Sequence, residues 1–199
     1  MYLDLPREIY ILSFGRIMTS MGALIWPMLT LIMSEKLKMS ASDIGLYMLM
    51  VAIIMIPCSL LGGKMADRFN KKRLIVLFDI ISNSIYLICA TVPISKTTLI
   101  LMTVASILQF MESPSYDSLL VDLTPFEKRE RAYSLMYLSA NLGLVLAPTI
   151  GGILFNDYLN VAFLINGLCD FSSTLLIIFF IKNIGTFKMK LSLTSMKKH

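Results

Sequence analysis

The chain has 199 residues, 56% of them hydrophobic and 16% charged, against roughly 25% charged in an average soluble domain. With a mean hydropathy of +0.74, a soluble fold of this size could not hide its apolar surface. The composition therefore indicates an integral membrane protein and argues against a soluble enzyme, a DNA-binding domain or a disordered chain. The net charge of +5 does not make nucleic acid a partner, because the basic residues lie between long apolar runs, as membrane topology requires.

Taken in chain order, Met1 to Glu8 is mixed in charge, and the apolar run behind it is too long for a signal-peptide core, so no secretory signal is expected. A membrane helix needs about 20 mostly apolar residues. Six stretches qualify: 9–34, 44–63, 74–95, 97–122, 132–155 and 158–181. Period-2 alternation is absent and the runs are too long for strands, which predicts an all-α membrane protein of six transmembrane helices. The turn between the third and fourth is tight, at Pro93 to Lys96, and residues 183–199 form a basic tail.

The loops set an orientation. Arg7, the loop with Lys64, Arg68, Lys71, Lys72 and Arg73, the loop with Lys128, Arg129 and Arg131, and the tail from Lys182 share one side. Only Lys36, Lys38 and Lys96 fall on the other. The positive-inside rule places both termini in the cytoplasm, with the chain multi-pass in the cell membrane. Cys58, Cys89 and Cys169 each sit inside an apolar run, and the sole histidine is His199. Neither set has metal-ligand spacing, and no nucleotide loop or nucleophile–base pattern occurs, so neither a metal, a cofactor nor an enzyme activity is expected.

Charges inside the spans need a reason, since each costs at least ~2.5–3.5 kcal/mol in hydrocarbon. Asp79 lies about 8 Å from the cytoplasmic end of its span and is read as a partner for the basic loop. Glu112 and Asp170 each lie roughly 16 Å from that end, close to mid-membrane, and are read as substrate or proton groups facing a cavity. Arg16 and Asp117 both lie about 10 Å above the boundary, at a depth where they could pair. The excess of acid favours a cation or proton as cargo over an anion.

The loop Gly62-Gly63-Lys64-Met65-Ala66-Asp67-Arg68-Phe69-Asn70-Lys71-Lys72-Arg73 resembles the signature loop of the major facilitator superfamily, Gly-x-Leu-Ala-Asp-Arg-x-Gly-Arg-Lys. Gly63, Ala66, Asp67, Arg68 and Lys72 match, and Asn70 replaces a glycine, Asn being the next best residue at positive φ. In the fifth span, Gly143-Leu-Val-Leu-Ala-Pro148-Thr-Ile-Gly151-Gly152 resembles the superfamily's antiporter motif, Gly-x-x-x-Gly-Pro-x-x-Gly-Gly. Its physical content is a flat, small-residue packing face with a proline bend. One departure stands out. The family often has an arginine in the fourth span, as Arg-x-x-Gln-Gly, whereas this chain reads Ser106-Ile-Leu-Gln109-Phe110. Arg16 is the candidate replacement for its charge.

The resemblance implies that residues 1–182 form the N-terminal six-helix bundle of a drug:proton antiporter-like facilitator, built as a 3+3 inverted repeat. Pro57 with Gly62-Gly63 in the second span echoes Pro148 with Gly151-Gly152 in the fifth, and Pro27 in the first echoes Pro114 in the fourth. The stretch 183–199 would then be a cytoplasmic tail or the start of a central linker. It further implies a cytoplasmic latch of Gly63, Asp67, Arg68, Lys72, Asp122 and Arg131, with Arg68 meeting Asp122. Arg16, Glu112, Tyr116, Asp117 and Asp170, with Trp26, would line a substrate and proton pathway. The expected activity is proton-coupled efflux of small lipophilic or cationic molecules by a half-length, truncated or self-pairing chain. Its expected partners are the lipid bilayer, a small-molecule substrate, protons and a second six-helix bundle. The alternatives are a non-transporting membrane fragment, an assembly partner, or a nutrient uptake permease of the same fold.

Overall fold

A computed structural model describes residues 4–181, so the basic tail expected at 183–199, and Lys182 before it, lie outside the described residues. The helices are α1 (Arg7–Gly22), α2 (Ile25–Leu31) with a π-helical turn (Ile32–Lys36), α3 (Ala41–Arg68), α4 (Lys71–Thr91), α5 (Lys96–Leu123), α6 (Arg129–Leu154) and α7 (Leu159–Phe180). No strand occurs among the described residues. Five segments are long and apolar enough to cross a membrane: Arg7–Lys36, Ala41–Arg68, Lys71–Thr91, Phe126–Leu154 and Leu159–Phe180. Six were expected. The one outside this set is α5, which has the length at 28 residues but carries Gln109, Glu112, Asp117 and Asp122.

The first segment is not one rod. Pro27 has no N–H, and its ring would strike the carbonyl four residues earlier, that of Ala23. Accordingly α1 ends at Gly22 and α2 begins at Ile25. Ala23 takes φ −69°, ψ 56°, and the Leu24 N–H donates to the Gly22 carbonyl at 2.6 Å, which is an inverse γ-turn. Pro57, Pro114 and Pro148 lie inside continuous helices, as membrane helices allow when neighbours support the freed carbonyl.

Helix starts follow capping chemistry. Ser40, Asn70 and Ser95 accept the N–H of Asp43, Arg73 and Thr98 at 3.2, 3.1 and 3.3 Å, each satisfying an orphan donor of the first turn. Asn70 therefore does not occupy a positive-φ glycine position. Its φ is −68°, and its side chain explains its presence as the cap of α4.

The helices pack as an open array. Helix α3 lies on α5, α5 on α4, α4 on α7, α7 on α1, and α1 on α6. With lipid as apolar as leucine, helix association depends on close packing of small residues and on polar contacts. A Cβ on Gly62 would sit 2.2 Å from the Met111 carbonyl oxygen, so α3 meets α5 backbone to backbone. On α6, Gly143 and Gly151 press in the same way on α1 and on Met28 of α2, with the buried Ala147 between them. Gly63 and Gly152 have open space where a side chain would be. Two apolar clusters form the interior. One gathers Leu24, Met33, Tyr86, Leu99 and Phe163, the other Leu5, Ile9, Ile75, Leu119 and Ile181. The polar residues of the spans lie between them.

Candidate functional site: a polar cavity between the helices

Between the two apolar clusters lies a cavity of about 510 Å³, a size that suits a small-molecule ligand. Every helix except α3 contributes to its wall. Helices α4, α5 and α7 bring Asp79, Glu112 and Asp170, while α1, α2 and α6 bring Arg16, Trp26, Tyr133 and Tyr137. The acids, with Asp117, come from α4, α5 and α7 and the cation from α1, while aromatic rings come from both sets of helices, Tyr86 and Tyr116 from the acidic ones and Trp26, Tyr133 and Tyr137 from the others.

The acids are held by specific neighbours. Glu112 is 9% and Asp170 7% exposed. Asp79 of α4 and Glu112 of α5 both line this cavity. Thr174 Oγ1 donates to Asp79 Oδ2 at 2.8 Å. Asp170 Oδ2 accepts from Asn166 Nδ2 at 2.8 Å and from Gln109 Nε2 at 3.2 Å. Acids spaced along three helices and aimed at one cavity can hold a proton or a cation, the chemistry for which intramembrane carboxylates are retained. Among the described residues, no group of three His, Cys, Asp or Glu side chains is arranged to hold a metal ion.

Of the pathway residues expected from the sequence, Arg16, Glu112, Tyr116, Asp117 and Asp170 all line this cavity, as does Trp26, which is 52% exposed. Tyr116 is tied down, its hydroxyl donating to the Leu12 carbonyl at 3.2 Å. The expected Arg16–Asp117 pair is not formed. No ion pair of either residue occurs among the described residues, and both are exposed along the cavity. Asp79 also corrects the sequence reading. It accepts from Thr174 and lines the cavity with Glu112, and no ion pair joins it to the basic loop among the described residues.

The end of the molecule carrying the basic loops is tied by lysines. Lys71 Nζ meets Asp122 Oδ2 at 2.5 Å, so Asp122 pairs with Lys71 and not with Arg68, because the Asn70 cap starts α4 at Lys71 and sets that side chain beside the end of α5. Lys72 Nζ donates to the carbonyls of Ile178 and Ile181 at 2.8 and 2.5 Å. It caps α7, where a cation complements the helix dipole. Lys128 reaches Asp4 Oδ2 at 2.9 Å, and its hydrogen bond and charge hold the Asp4 carboxyl below its ordinary value. Asp67, Arg68 and Arg131 are exposed, and none forms an ion pair among the described residues. Of the expected latch, then, Asp122 and Lys72 are engaged inside this bundle, while Gly63, Asp67, Arg68 and Arg131 face outward. In the fifth-span motif, Gly143 and Gly151 pack inward, whereas Gly152 and Pro148 do not.

A polar cavity open on one side between long apolar helices is the architecture of a membrane transporter, and the comparison with known families agrees. The model of the Major Facilitator Superfamily matches residues 10–190, and the chain belongs to that superfamily. Among its relatives is a Na(+), Li(+), K(+)/H(+) antiporter of Planococcus maritimus, 23% identical over 142 residues, covering 68% of this chain and 32% of that protein. Another is the quinolone resistance protein NorA of Staphylococcus aureus, 28% identical over 148 residues, covering 73% of this chain and 38% of the relative. The chain thus spans about a third of the length of the curated relatives it matches, at 32% and 38%.

Proposed function

We infer that the chain is the N-terminal six-helix half of a secondary transporter that exports small lipophilic or cationic molecules in exchange for protons. The observation that carries this reading is the cavity itself, lined by Asp79, Glu112 and Asp170 together with Arg16 and aromatic rings. A lipophilic cation would bury its charge against the acids and its apolar body against Trp26, Tyr133 and Tyr137. Its arrival would displace a proton held among these acids, because one buried acid cluster does not favour both at once. Arg16 stands in the cavity as the fixed positive charge that the fourth-span sequence lacks. Relatives named for cation/H(+) exchange and for quinolone resistance support efflux over uptake.

The same reading makes α5 a sixth span, its acids turned into the cavity and away from lipid. It also makes the bundle a 3+3 repeat, for which the packing order is an argument. Read span by span, the array runs second, fourth, third, sixth, first, fifth. Exchanging the first three spans with the last three gives the same order in reverse. The basic loops face the cytoplasm of the cell membrane by their charge. A second bundle, from a longer polypeptide or another copy, closes the cavity. Asp67, Arg68 and Arg131, unengaged here, then latch against it, and residues 183–199 serve as tail or linker.

The test is export of a fluorescent lipophilic cation from liposomes under an imposed pH gradient. The chain is assayed alone and with a complementary six-helix bundle from the same genome. Gradient-driven export that Glu112→Gln abolishes is the expected result. No export in either form favours a non-transporting membrane fragment or assembly partner. Gradient-driven accumulation in the opposite direction favours an uptake permease.

A further inference from the structure

Asp170 lies on α7 with 7% of its surface exposed, and one of its two oxygens is already taken. Asn166 Nδ2, one turn earlier on α7, donates to Oδ2 at 2.8 Å, and Gln109 Nε2 of α5 donates to the same atom at 3.2 Å. An oxygen that accepts two N–H groups carries no proton of its own in that arrangement. The other oxygen, Oδ1, has no hydrogen-bond partner among the described residues. A proton or a cation that comes to Asp170 therefore meets Oδ1.

The same bonds orient the two amides. A carboxylate oxygen takes the nitrogen end of each, so each carbonyl end is turned from Oδ2. Gln109 Oε1 and Asn166 Oδ1 accept no hydrogen bond among the described residues. The buried side-chain atoms without a partner belong to Asn83, Ser115 and Arg129 alone among those residues. Gln109 Oε1, Asn166 Oδ1 and Asp170 Oδ1 thus keep accessible surface, and all three residues line the cavity. Each amide oxygen shares its carbon with the nitrogen bound to Asp170, so the three oxygens stand within an amide's breadth of one carboxyl.

Three unpartnered acceptors around a carboxyl make a definite demand on a ligand. A protonated amine brings N–H donors for them and a charge for Asp170. A quaternary ammonium ion brings the charge alone and leaves the oxygens unpaired once water is excluded. Aromatic rings attract both kinds of ion, so Trp26, Tyr133 and Tyr137 do not decide between them, and the oxygens do. We propose that Asp170, oriented by Gln109 and Asn166, is the seat of the cationic group, and that this seat selects protonated primary or secondary amines over quaternary ammonium ions. The proposal rests on the cation-binding reading of the cavity and names the acid and the class of cation, but its test does not require transport.

The test uses Trp26, the sole tryptophan of the chain, whose side chain lines the cavity and whose fluorescence reports binding there. The purified chain in detergent is titrated at neutral pH with phenylbutylammonium and with its N-trimethyl analogue. The parent is expected to bind the primary ion about tenfold more tightly, as a site built to hydrogen-bond a donor rejects the analogue lacking it. Gln109→Leu is expected to bring the two affinities within about threefold, by weakening the primary ion and sparing the quaternary one. Asp170→Asn, which keeps the shape and removes the charge, is expected to weaken both. Equal binding by the parent, or tighter binding of the trimethyl ion, overturns the proposal. So does a Gln109→Leu protein that keeps the parent's preference, or an Asp170→Asn protein that binds both ions as the parent does. If Gln109→Leu does not fold, Gln109→Met, unbranched and of similar length, takes its place, and the parent's preference decides if neither folds. If the parent binds neither ion, the cation reading of the cavity fails together with this one. If it binds both without preference, only this inference fails.

Discussion

Asp79, Glu112 and Asp170 show how far a charge in an apolar run can be interpreted from sequence. Glu112 and Asp170 were legible, because their depth left them no way to snorkel to the interface. Asp79 was not, since its distance from the loop fits either a loop partner or a cavity group, and only rotation about α4 decides between them. Arg68 and Lys71 are both basic residues of the loop region, and Asp122 pairs with Lys71, the first residue of α4 after the Asn70 cap. At this scale, removing the carboxyl of Glu112 is expected to lower gradient-driven export by about 100-fold, in the range of a lost proton-transfer group. Asp79→Asn is expected to show a comparable loss, and the liposome assay checks both.

The Asp4–Lys128 tie gives a prediction about pH. Lys128 lowers the Asp4 carboxyl below 3.8 in the folded chain. A depressed acid contributes stability that is present above its unfolded value and is lost as pH falls through the folded value. The tie should therefore contribute nothing in strong acid and its full, small effect at neutral pH. Because Asp4 is exposed, salt should screen it. Thermal unfolding of the parent and Asp4→Asn, in low and high salt at pH 7 and near pH 2, is expected to differ only at low salt and pH 7. A difference that persists at pH 2 would show that the side chain acts by some route other than its charge.

Among the elements, the six apolar runs were visible from hydropathy, but their internal shape was not. Pro27 predicts some bend; that it opens a γ-turn at Ala23, on the cavity wall, depends on how α1 and α2 pack against α6 and α7. Likewise, two adjacent glycines end the second span, and periodicity does not say which one faces α5. The structure assigns that place to Gly62 and leaves Gly63 open. Gly62→Ala should force α3 away from the Met111 carbonyl and cost about 1–3 kcal/mol, the usual cost of overpacking. Gly63→Ala should leave the isolated bundle unchanged. Thermal stability in detergent separates them, and equal melting of the two variants would contradict the assigned contact. The pair Gly143→Ala and Gly152→Ala should behave in the same way on α6.

At the scale of the whole molecule, α3 and α6 are the end members of the array, and Leu49, Ile53, Ile56 and Leu60 of α3 and Val145 and Ile153 of α6 are exposed. The outward residues of the signature loop lie at one end of this arrangement. The family resemblance was legible because its motifs depend on residue order, which survives low identity. The division of the loop into Lys71 and Lys72, engaged within the bundle, and Asp67 and Arg68, turned outward, needed the fold. Asp67→Asn is accordingly expected to leave the melting temperature of this chain unchanged while lowering transport by the assembled protein. Altered melting with normal transport would place Asp67 inside the bundle's own structure.

The central claim is that the carboxyl cluster of this cavity exchanges a proton for a cationic substrate. The most direct measurement is proton release on addition of a lipophilic cation to the purified protein in weakly buffered detergent, read with a pH-sensitive dye. The account predicts about one proton or less released per cation bound by the parent, and none from a folded Glu112→Gln variant. Cation binding with no proton release from the parent, or unchanged release from Glu112→Gln, would contradict it.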